Sequence, residues 1–254
     1  MSIPHLPKWP LPSSSSKKQE QANSLITKTY VLDGLELPVE IRRNRRARRI
    51  TLSIDAQTGT PQLVIPRGTS YAEALKFLHR ESDWILNKID ELPPRVLFED
   101  GAGVPLLGRK CRIRHLPLLP PEVCREGDEL VVGGRDKDVK YRVTEWLTNA
   151  AREKLTELAQ QKMRSLGRSS AKVSVRDPKT RWGSCSEQGY LSFSWRLILA
   201  PPSVMDYVVA HEVAHLNEFD HGPNFWLLVE RLCPRHRMPK HWLTRHGAKL
   251  LRYG

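Results

Sequence analysis

The chain has 254 residues, of which 39% are hydrophobic and 27% are charged, values typical of a globular protein with a buried core. Its formal net charge of +13 at pH 7 favours contact with anionic surfaces but does not identify a function. No stretch approaches the roughly 20 apolar residues that cross a bilayer, so the sequence argues against a membrane partner.

The amino terminus and the cysteines favour a cytoplasmic location. Residues 1–27 are rich in Pro and Ser and then polar, which predicts a disordered tail without the apolar core of a secretion signal. The four cysteines are widely separated and match no Cys-x-x-Cys metal or redox pattern. Reduced thiols in a cytoplasm fit this spacing best.

Residues 28–135 are predicted to form an N-terminal, mostly β region with one helix. Asp33-Gly34 is a two-residue turn signal between two short apolar runs, which predicts a hairpin. Alternating apolar and polar residues predict a further strand at residues 50–54, and the run Gln62–Ile65, which Pro66 stops, predicts another. Apolar residues at spacings of three and four then predict a single helix between Ser70 and Leu92, and short strands follow it.

The run Arg42–Arg49, with six arginines in eight positions, is the densest charge in the chain. One partner for such a run is the phosphate backbone of a nucleic acid. However, no aromatic residue is interleaved to stack on bases, and the strand pattern resumes directly afterwards. A solvated turn between two strands is therefore the favoured interpretation.

Residues 136–254 are predicted to form a second domain with a long helix, a small antiparallel sheet and shorter helices. The long helix is expected from about Val139 to Leu166. Two paired strands are expected at Arg181–Ser186 and Tyr190–Leu197. A helix capped by Ser203 should follow and pack beside this sheet. The whole chain is thus expected to have an α+β fold.

This last helix contains the motif that indicates chemistry, His211-Glu212-Val213-Ala214-His215. The two histidines are four residues apart, so their imidazoles project from the same face of a helix. Two neutral imidazoles at this spacing can bind one Zn²⁺ at about 2.0–2.1 Å. Glu212 lies where its carboxylate can take a proton from a metal-activated water. The pattern predicts a zinc-dependent hydrolase, most of all a peptidase.

A catalytic zinc needs a third protein ligand, and His221 is the leading candidate. It lies beyond the expected helix end and precedes Gly222-Pro223, where proline can begin the next helix and fix the turn. Glu218, Asp220 and Glu230 remain alternatives, because oxygen ligands also suit zinc. The spacing of the three histidines is that of the metzincins, but Glu218 stands where their pattern has glycine. This difference argues against membership of that clan.

Peptide hydrolysis also needs a donor for the oxyanion that develops on the scissile carbonyl. Arg181, Tyr190 and Tyr207 are the candidates for this role or for other substrate contacts. The sequence leaves the choice between them open.

Two motifs together resemble the YgjP-like metallopeptidase domain. They are the stretch His211–Leu216 followed by His221 and Phe225-Trp226, and the upstream stretch Arg181–Ser186. The resemblance covers roughly residues 30–250. It implies a zincin-like metallopeptidase domain of the gluzincin-like or SprT-like kind that acts on polypeptides. It also implies one zinc ion per chain, with Glu212 catalytic and three ligands: His211, His215 and His221.

Three other functions stay open. A more distant resemblance to SprT-type proteases, which act on DNA–protein crosslinks, would make the chain a DNA-associated protease with Arg42–Arg49 as its DNA contact. Alternatively, the chain is a nucleic-acid-binding protein with a structural zinc, a kind of site that is usually closed by four protein ligands. A zinc hydrolase of non-peptide amides would share the same sequence pattern.

Overall fold

The computed structural model describes residues 25–168 and 171–254, which form two compact units. The first unit contains the described residues up to Ile54 together with Thr60–Ile85, and the second contains Asp55–Gly59 and Leu86–Gly254. Of the predicted N-terminal tail, residues 1–24 lie outside the described residues. Residues 25–27 are part of the first strand rather than of a tail.

The first unit is built on a four-stranded sheet. Its strands are β1 (Leu25–Leu32), β2 (Leu35–Asn44), β3 (Thr51–Ile54) and β4 (Pro61–Pro66). They lie in the order β1-β2-β4-β3, with β2 and β4 parallel and the other neighbours antiparallel. The hairpin predicted at Asp33-Gly34 is confirmed: both residues adopt positive φ, 47° and 82°, as the turn requires.

The single helix predicted after Ser70 is wrong, because the chain forms two helices there, α1 (Tyr71–Arg80) and α2 (Ser82–Asp90). The Ser70 Oγ caps α1 by accepting a hydrogen bond from the Glu73 N–H at 3.1 Å. Glu81 separates the helices with a non-helical ψ of 15°. Apolar residues on both sides of this break remain buried, so their spacing gave no sign of it.

The Arg42–Arg49 run occupies the end of β2 and the turn that leads to β3. All six arginine side chains are exposed. The Arg43 guanidinium donates a hydrogen bond to the Thr69 carbonyl at 3.1 Å, which ties the start of the run to the same unit. This arrangement is the solvated turn that the sequence favours.

The second unit contains a second four-stranded sheet and a long helix. The strands are β5 (Gly103–Leu106), β6 (Arg109–Leu116), β7 (Val123–Glu126) and β8 (Glu129–Gly133), and the helix is α3 (Val139–Ser165). The strand order is β5-β6-β8-β7. Buried residues of β8, such as Leu130 and Val132, share one core with Val139 and Val143 of α3. The compact units therefore do not divide at residues 135–136, where the sequence places the domain boundary.

The small sheet of this unit is mixed rather than wholly antiparallel. Its strands are β9 (Val173–Arg176), β10 (Gly183–Cys185) and β11 (Leu191–Ser194). In the order β10-β11-β9, β10 pairs with β11 antiparallel as predicted, but β9 pairs with β11 in parallel. The strand predicted to reach Leu197 ends earlier, because residues Trp195–Leu199 form a 3₁₀ helix.

Three further helices complete the unit: α4 (Pro202–Ala214), α5 (Pro223–Leu232) and α6 (Arg237–Leu250). Nine of the 13 residues of α4 are buried, so it is the central helix, in contact with α3, α5, α6 and β10. The predicted cap at Ser203 is wrong. Pro201 occupies the cap position and Pro202 begins the helix, where a missing N–H costs no hydrogen bond.

The mixed helices and small sheets confirm the predicted α+β class. None of the helices among the described residues has both the length and the apolar character that a membrane span requires.

Candidate metal centre

Three histidines converge at the carboxyl end of α4. His211 and His215 lie one helical turn apart, and His221 lies in the connection to α5. The ring centroids are 5.0 Å apart for His211 and His215, 5.1 Å for His211 and His221, and 4.8 Å for His215 and His221. One potential ligand atom of each ring lies within 4.8 Å of the other two. A single ion can therefore contact all three side chains.

The closest pair has a separation suited to zinc. The Nε2 atoms of His211 and His221 are 3.2 Å apart. Two ligands bound at about 2.0–2.1 Å to a tetrahedral zinc lie roughly 3.3 Å from each other. The carboxylates of the competing candidates are not members of this cluster: Glu218, Asp220 and Glu230.

The orientation of His215 is fixed by the chain that follows α4. Its Nδ1 donates a hydrogen bond to the Glu218 carbonyl at 3.0 Å. With the proton held on Nδ1, the Nε2 lone pair is available for a metal. Glu218, whose side chain was a candidate ligand, thus contributes through its backbone.

Phe225 forms an apolar contact surface shared by the three rings. It is fully buried in α5, and its ring centroid lies 4.9 Å from His211, 4.6 Å from His215 and 4.7 Å from His221. The helix that carries it begins at Pro223, as the sequence predicted for the turn after His221. Packing against one aromatic ring therefore holds imidazoles from two different segments in a single cluster.

All three histidines are electrostatically biased towards the neutral form. Burial, reinforced by the charges of His215, His221 and Lys240, lowers the pKa of His211 to about 3. Burial likewise lowers the pKa of His215 and of His221. The His211 Nδ1 atom is buried without a hydrogen-bond partner among the described residues. Neutral imidazole is the form that binds metals, so this donor set fits a zinc ion.

Glu212 lies beside the histidines, on the side of α4 that faces β10. The whole residue is 6% exposed, and burial raises the pKa of its carboxyl to about 8, against the opposing effect of the Arg181 guanidinium. A Cβ atom added to Gly183 of β10 would lie 2.7 Å from the Glu212 Oε1. The carboxyl is thus held by α4 on one side and by the bare backbone of Gly183 on the other.

Two of the three candidate substrate contacts lie near Glu212. Tyr207 is one turn before His211, with its ring centroid 6.1 Å away, and burial aided by Glu212 raises the pKa of its phenol to about 12. Arg181 is exposed, immediately ahead of β10. Tyr190 is exposed too, but its described ring contact is with the Lys172 ammonium at 5.7 Å, and none joins it to the histidines.

Three residues at the edge of the centre were not predicted from the sequence to be functional. We call them the Trp226 cluster: Trp226, His236 and Lys240. The Trp226 ring centroid is 6.1 Å from His211 and 6.2 Å from His221. It stacks on His236 with centroids 5.9 Å apart, and the Lys240 Nζ lies 4.2 Å from its centroid. In the sequence, Trp226 stood out only as part of the family resemblance, and no spacing rule relates it to residues of α6.

Comparison with known proteins gives a match to a protein family. The family model described as the YgjP-like metallopeptidase domain matches residues 48–246, which include every residue of the centre. None of the curated proteins matches the sequence.

Two solved structures show local similarity. The metallopeptidase zymogen abylysin of Pyrococcus abyssi is 24% identical, with 36% of this chain and 93% of that chain covered and a TM-score of 0.33. The metallopeptidase zymogen jannalysin of Methanocaldococcus jannaschii is 16% identical, with 35% of this chain and 91% of that chain covered and a TM-score of 0.32.

Proposed function

The chain belongs to the YgjP-like metallopeptidase family, and from this premise we propose that it is a zinc-dependent peptidase with Glu212 as its general base. Membership implies a metal ion and polypeptide substrates. The observation that supports the finer assignment is the convergence of three imidazoles beside a buried carboxyl on one helix.

In this proposal, His211, His215 and His221 hold one zinc ion per chain. Neutral imidazoles are preferred zinc ligands, and the hydrogen bond from His215 to the Glu218 carbonyl fixes the required tautomer of that ring. When bound, zinc lowers the pKa of a water molecule and polarises the scissile carbonyl.

Glu212 takes a proton from the attacking water and delivers it to the leaving amine. A general base works best when its pKa lies near the working pH, and burial raises the pKa of Glu212 towards that range. The close approach of Gly183 limits where the carboxyl can move, which preserves its position beside the reacting atoms.

The oxyanion requires a further hydrogen-bond donor. Arg181 and Tyr207 are the two candidates with neighbours in the centre, and Arg181 is exposed to an incoming peptide. The Tyr207 phenol is protonated at neutral pH, and burial raises its pKa further, to about 12, so it is a donor for the same charge. Tyr190, at the far end of the β10–β11 hairpin, is assigned a substrate contact only.

A structural zinc is less compatible with this arrangement. Structural zinc sites are usually closed by four protein ligands, whereas catalytic sites have three and keep one position open. Within the part of the chain that the structure describes, the three histidines form the cluster without a fourth His, Cys, Asp or Glu. The donor set therefore supports an enzyme over a nucleic-acid-binding protein with a structural metal.

The test is Glu212→Gln, which keeps the shape of the side chain but removes its basicity. We expect zinc content of one per chain by metal analysis, with hydrolysis of an unfolded protein substrate reduced by about a thousandfold or more. Glu230→Gln is the matched control, because Glu230 is exposed on α5 and outside the histidine cluster, so both zinc and activity should persist. Undiminished turnover by Glu212→Gln would refute the assignment.

A further inference from the structure

Lys240 is a cation held at the edge of the metal centre by an aromatic ring. Its Nζ lies 4.2 Å from the Trp226 ring centroid, a distance at which the ring face stabilises an ammonium group. Trp226 in turn is about 6 Å from the His211 and His221 rings, 6.1 Å and 6.2 Å between centroids. The contact with Trp226 therefore holds the Lys240 ammonium at the edge of the metal centre.

The charge of Lys240 has no anionic partner in the described part of the chain. Lys240 takes part in none of the salt bridges among these residues. Other charged residues of α6 are exposed on the surface. Asp220 is exposed in the connection before His221, and its described contacts do not include Lys240.

His236 adds a second polar group to the same cluster. It is 8% exposed and stacks on Trp226 with an interplanar angle of 26°. Its Nδ1 is buried and has no hydrogen-bond partner among the residues that the structure describes. Because this nitrogen is buried, His236 packs against Trp226 rather than against a ligand, and the Lys240 ammonium is the group of the cluster that remains to pair with an anion.

We propose that the Trp226 cluster binds a carboxylate of the peptide substrate, with Lys240 as its charge partner. This inference rests on the proposed peptidase function and names the substrate class: peptides that carry a carboxylate close to the scissile bond. The carboxylate belongs either to an Asp or Glu side chain or to the end of the peptide. A charge-assisted hydrogen bond to Lys240 is the recognition element in both cases.

The experiment uses four peptides: one sequence with Glu and one with Gln at a single position near the cleaved bond, each with a free and with an amidated carboxyl end. Binding is measured by fluorescence anisotropy on the Glu212→Gln protein, and kcat/KM on the protein with Glu212 intact. We expect the carboxylate peptide to bind about tenfold more tightly than its amide counterpart. Preference for Glu over Gln identifies a side-chain carboxylate, and preference for the free end identifies the terminal one.

The variants isolate the contribution of Lys240. Lys240→Gln should abolish the preference while affinity for the neutral, amidated peptide changes by less than about twofold, whereas Lys240→Arg should retain it. Lys249→Gln is the charge-matched control on the same helix, exposed and outside the cluster, and it should leave the preference unchanged. Equal affinities for all peptides, or a preference that survives Lys240→Gln, would overturn the inference. Failure to cleave any of the peptides would instead contradict the peptidase function, because the binding ratios do not depend on turnover.

Discussion

Gly183 and Glu212 are in contact so close that a methyl group on Gly183 would lie 2.6 Å from the Glu212 Cγ atom. Real Cβ atoms essentially never approach a neighbour this closely, and both Glu212 Oε1 and its carboxyl carbon would be equally crowded, at 2.7 and 2.8 Å. The glycine is required here for space rather than for an unusual backbone angle, since Gly183 is not among the residues with positive φ. Strand β10 and helix α4 therefore determine together where the proposed base stands.

Gly183→Ala should consequently impair catalysis more than folding. The added methyl group must displace the Glu212 side chain, and a misplacement of about 1 Å costs on the order of a hundredfold in rate. We expect kcat to fall by that order while zinc binding is retained, as measured by steady-state kinetics and metal analysis. Gly68→Ala is the control, because a Cβ at Gly68 meets no atom within 4 Å. Full activity of Gly183→Ala would show that the contact does not position the base.

His221→Ala should weaken zinc binding by on the order of a hundredfold, because it removes one of three protein ligands. The fold should persist, since His221 is exposed and Phe225 remains buried without it. Competition with a fluorescent chelator measures the affinity, and circular dichroism checks the fold. His241→Ala, an exposed histidine of α6, should bind zinc like the unmodified protein. Equal tight binding by His221→Ala would eliminate His221 as a ligand.

Removal of the metal should abolish hydrolysis reversibly. The three rings pack on Phe225 and the His215 ring is held by the Glu218 carbonyl, contacts that need no ion. A chelator should therefore inactivate the protein without changing its circular dichroism, and stoichiometric zinc should restore the activity. Loss of secondary structure on chelation would mean that the metal itself organises the cluster.

The ion pair between Asp55 and Lys179 should make stability pH-dependent in acid. Burial alone raises the pKa of Asp55, but hydrogen bonds from Lys179 and from the Gln57 and Thr58 amides outweigh it and hold the pKa below its ordinary 3.8. The unfolded chain then binds the proton more readily, so this stabilisation is complete above about pH 4 to 5 and is lost as the pH falls through the folded-state pKa.

Asp55→Asn should thus lower the free energy of unfolding at pH 7 by about 1–3 kcal/mol, with a smaller difference near pH 3. Urea denaturation at both pH values measures it. Asp90→Asn, at an exposed position of α2, should change stability by less than roughly 0.5 kcal/mol at either pH. A deficit of Asp55→Asn that is the same at both pH values would contradict the assignment.

The solvated-turn interpretation of Arg42–Arg49 predicts that the run has no specific partner. Replacing Arg45, Arg46 and Arg48 by Gln should leave the unfolding free energy within about 0.5 kcal/mol, because all three side chains are exposed. Affinity for duplex DNA at physiological salt should also stay unchanged in anisotropy measurements. A salt-dependent DNA affinity that these substitutions remove would instead support a DNA-associated protease.

The residues that meet at the candidate centre could be predicted from the sequence because their arrangement follows local rules. His211, Glu212 and His215 are related by helical spacing, and the turn before Pro223 places His221 within reach of them. Contacts between residues that are far apart in the sequence were not predicted. Gly183 contacts Glu212 between a strand and a helix, and Lys240 lies at the centre because it packs on Trp226. Neither contact follows from a periodic pattern in the sequence.

The errors in secondary structure have the same origin. Trp195 continues the apolar alternation of β11 but lies in a 3₁₀ helix, because burial is satisfied in either conformation. Ser203 is a favourable cap by residue type, yet Pro202 already has the backbone geometry of a first helical residue and the helix starts there. In both places, the sequence pattern is compatible with more than one local structure, so the pattern alone does not decide between them.

The central position of α4 has a consequence for the motions of the protein. Because α3, α5, α6 and β10 all cover it, its amide hydrogens should exchange with deuterium only when the second unit unfolds as a whole. The following connection, with Asn217, Phe219 and Asp220 exposed, should exchange far sooner. The histidine cluster therefore joins a segment whose amide hydrogens exchange slowly to one whose amide hydrogens exchange fast. His221 belongs to the segment that exchanges fast.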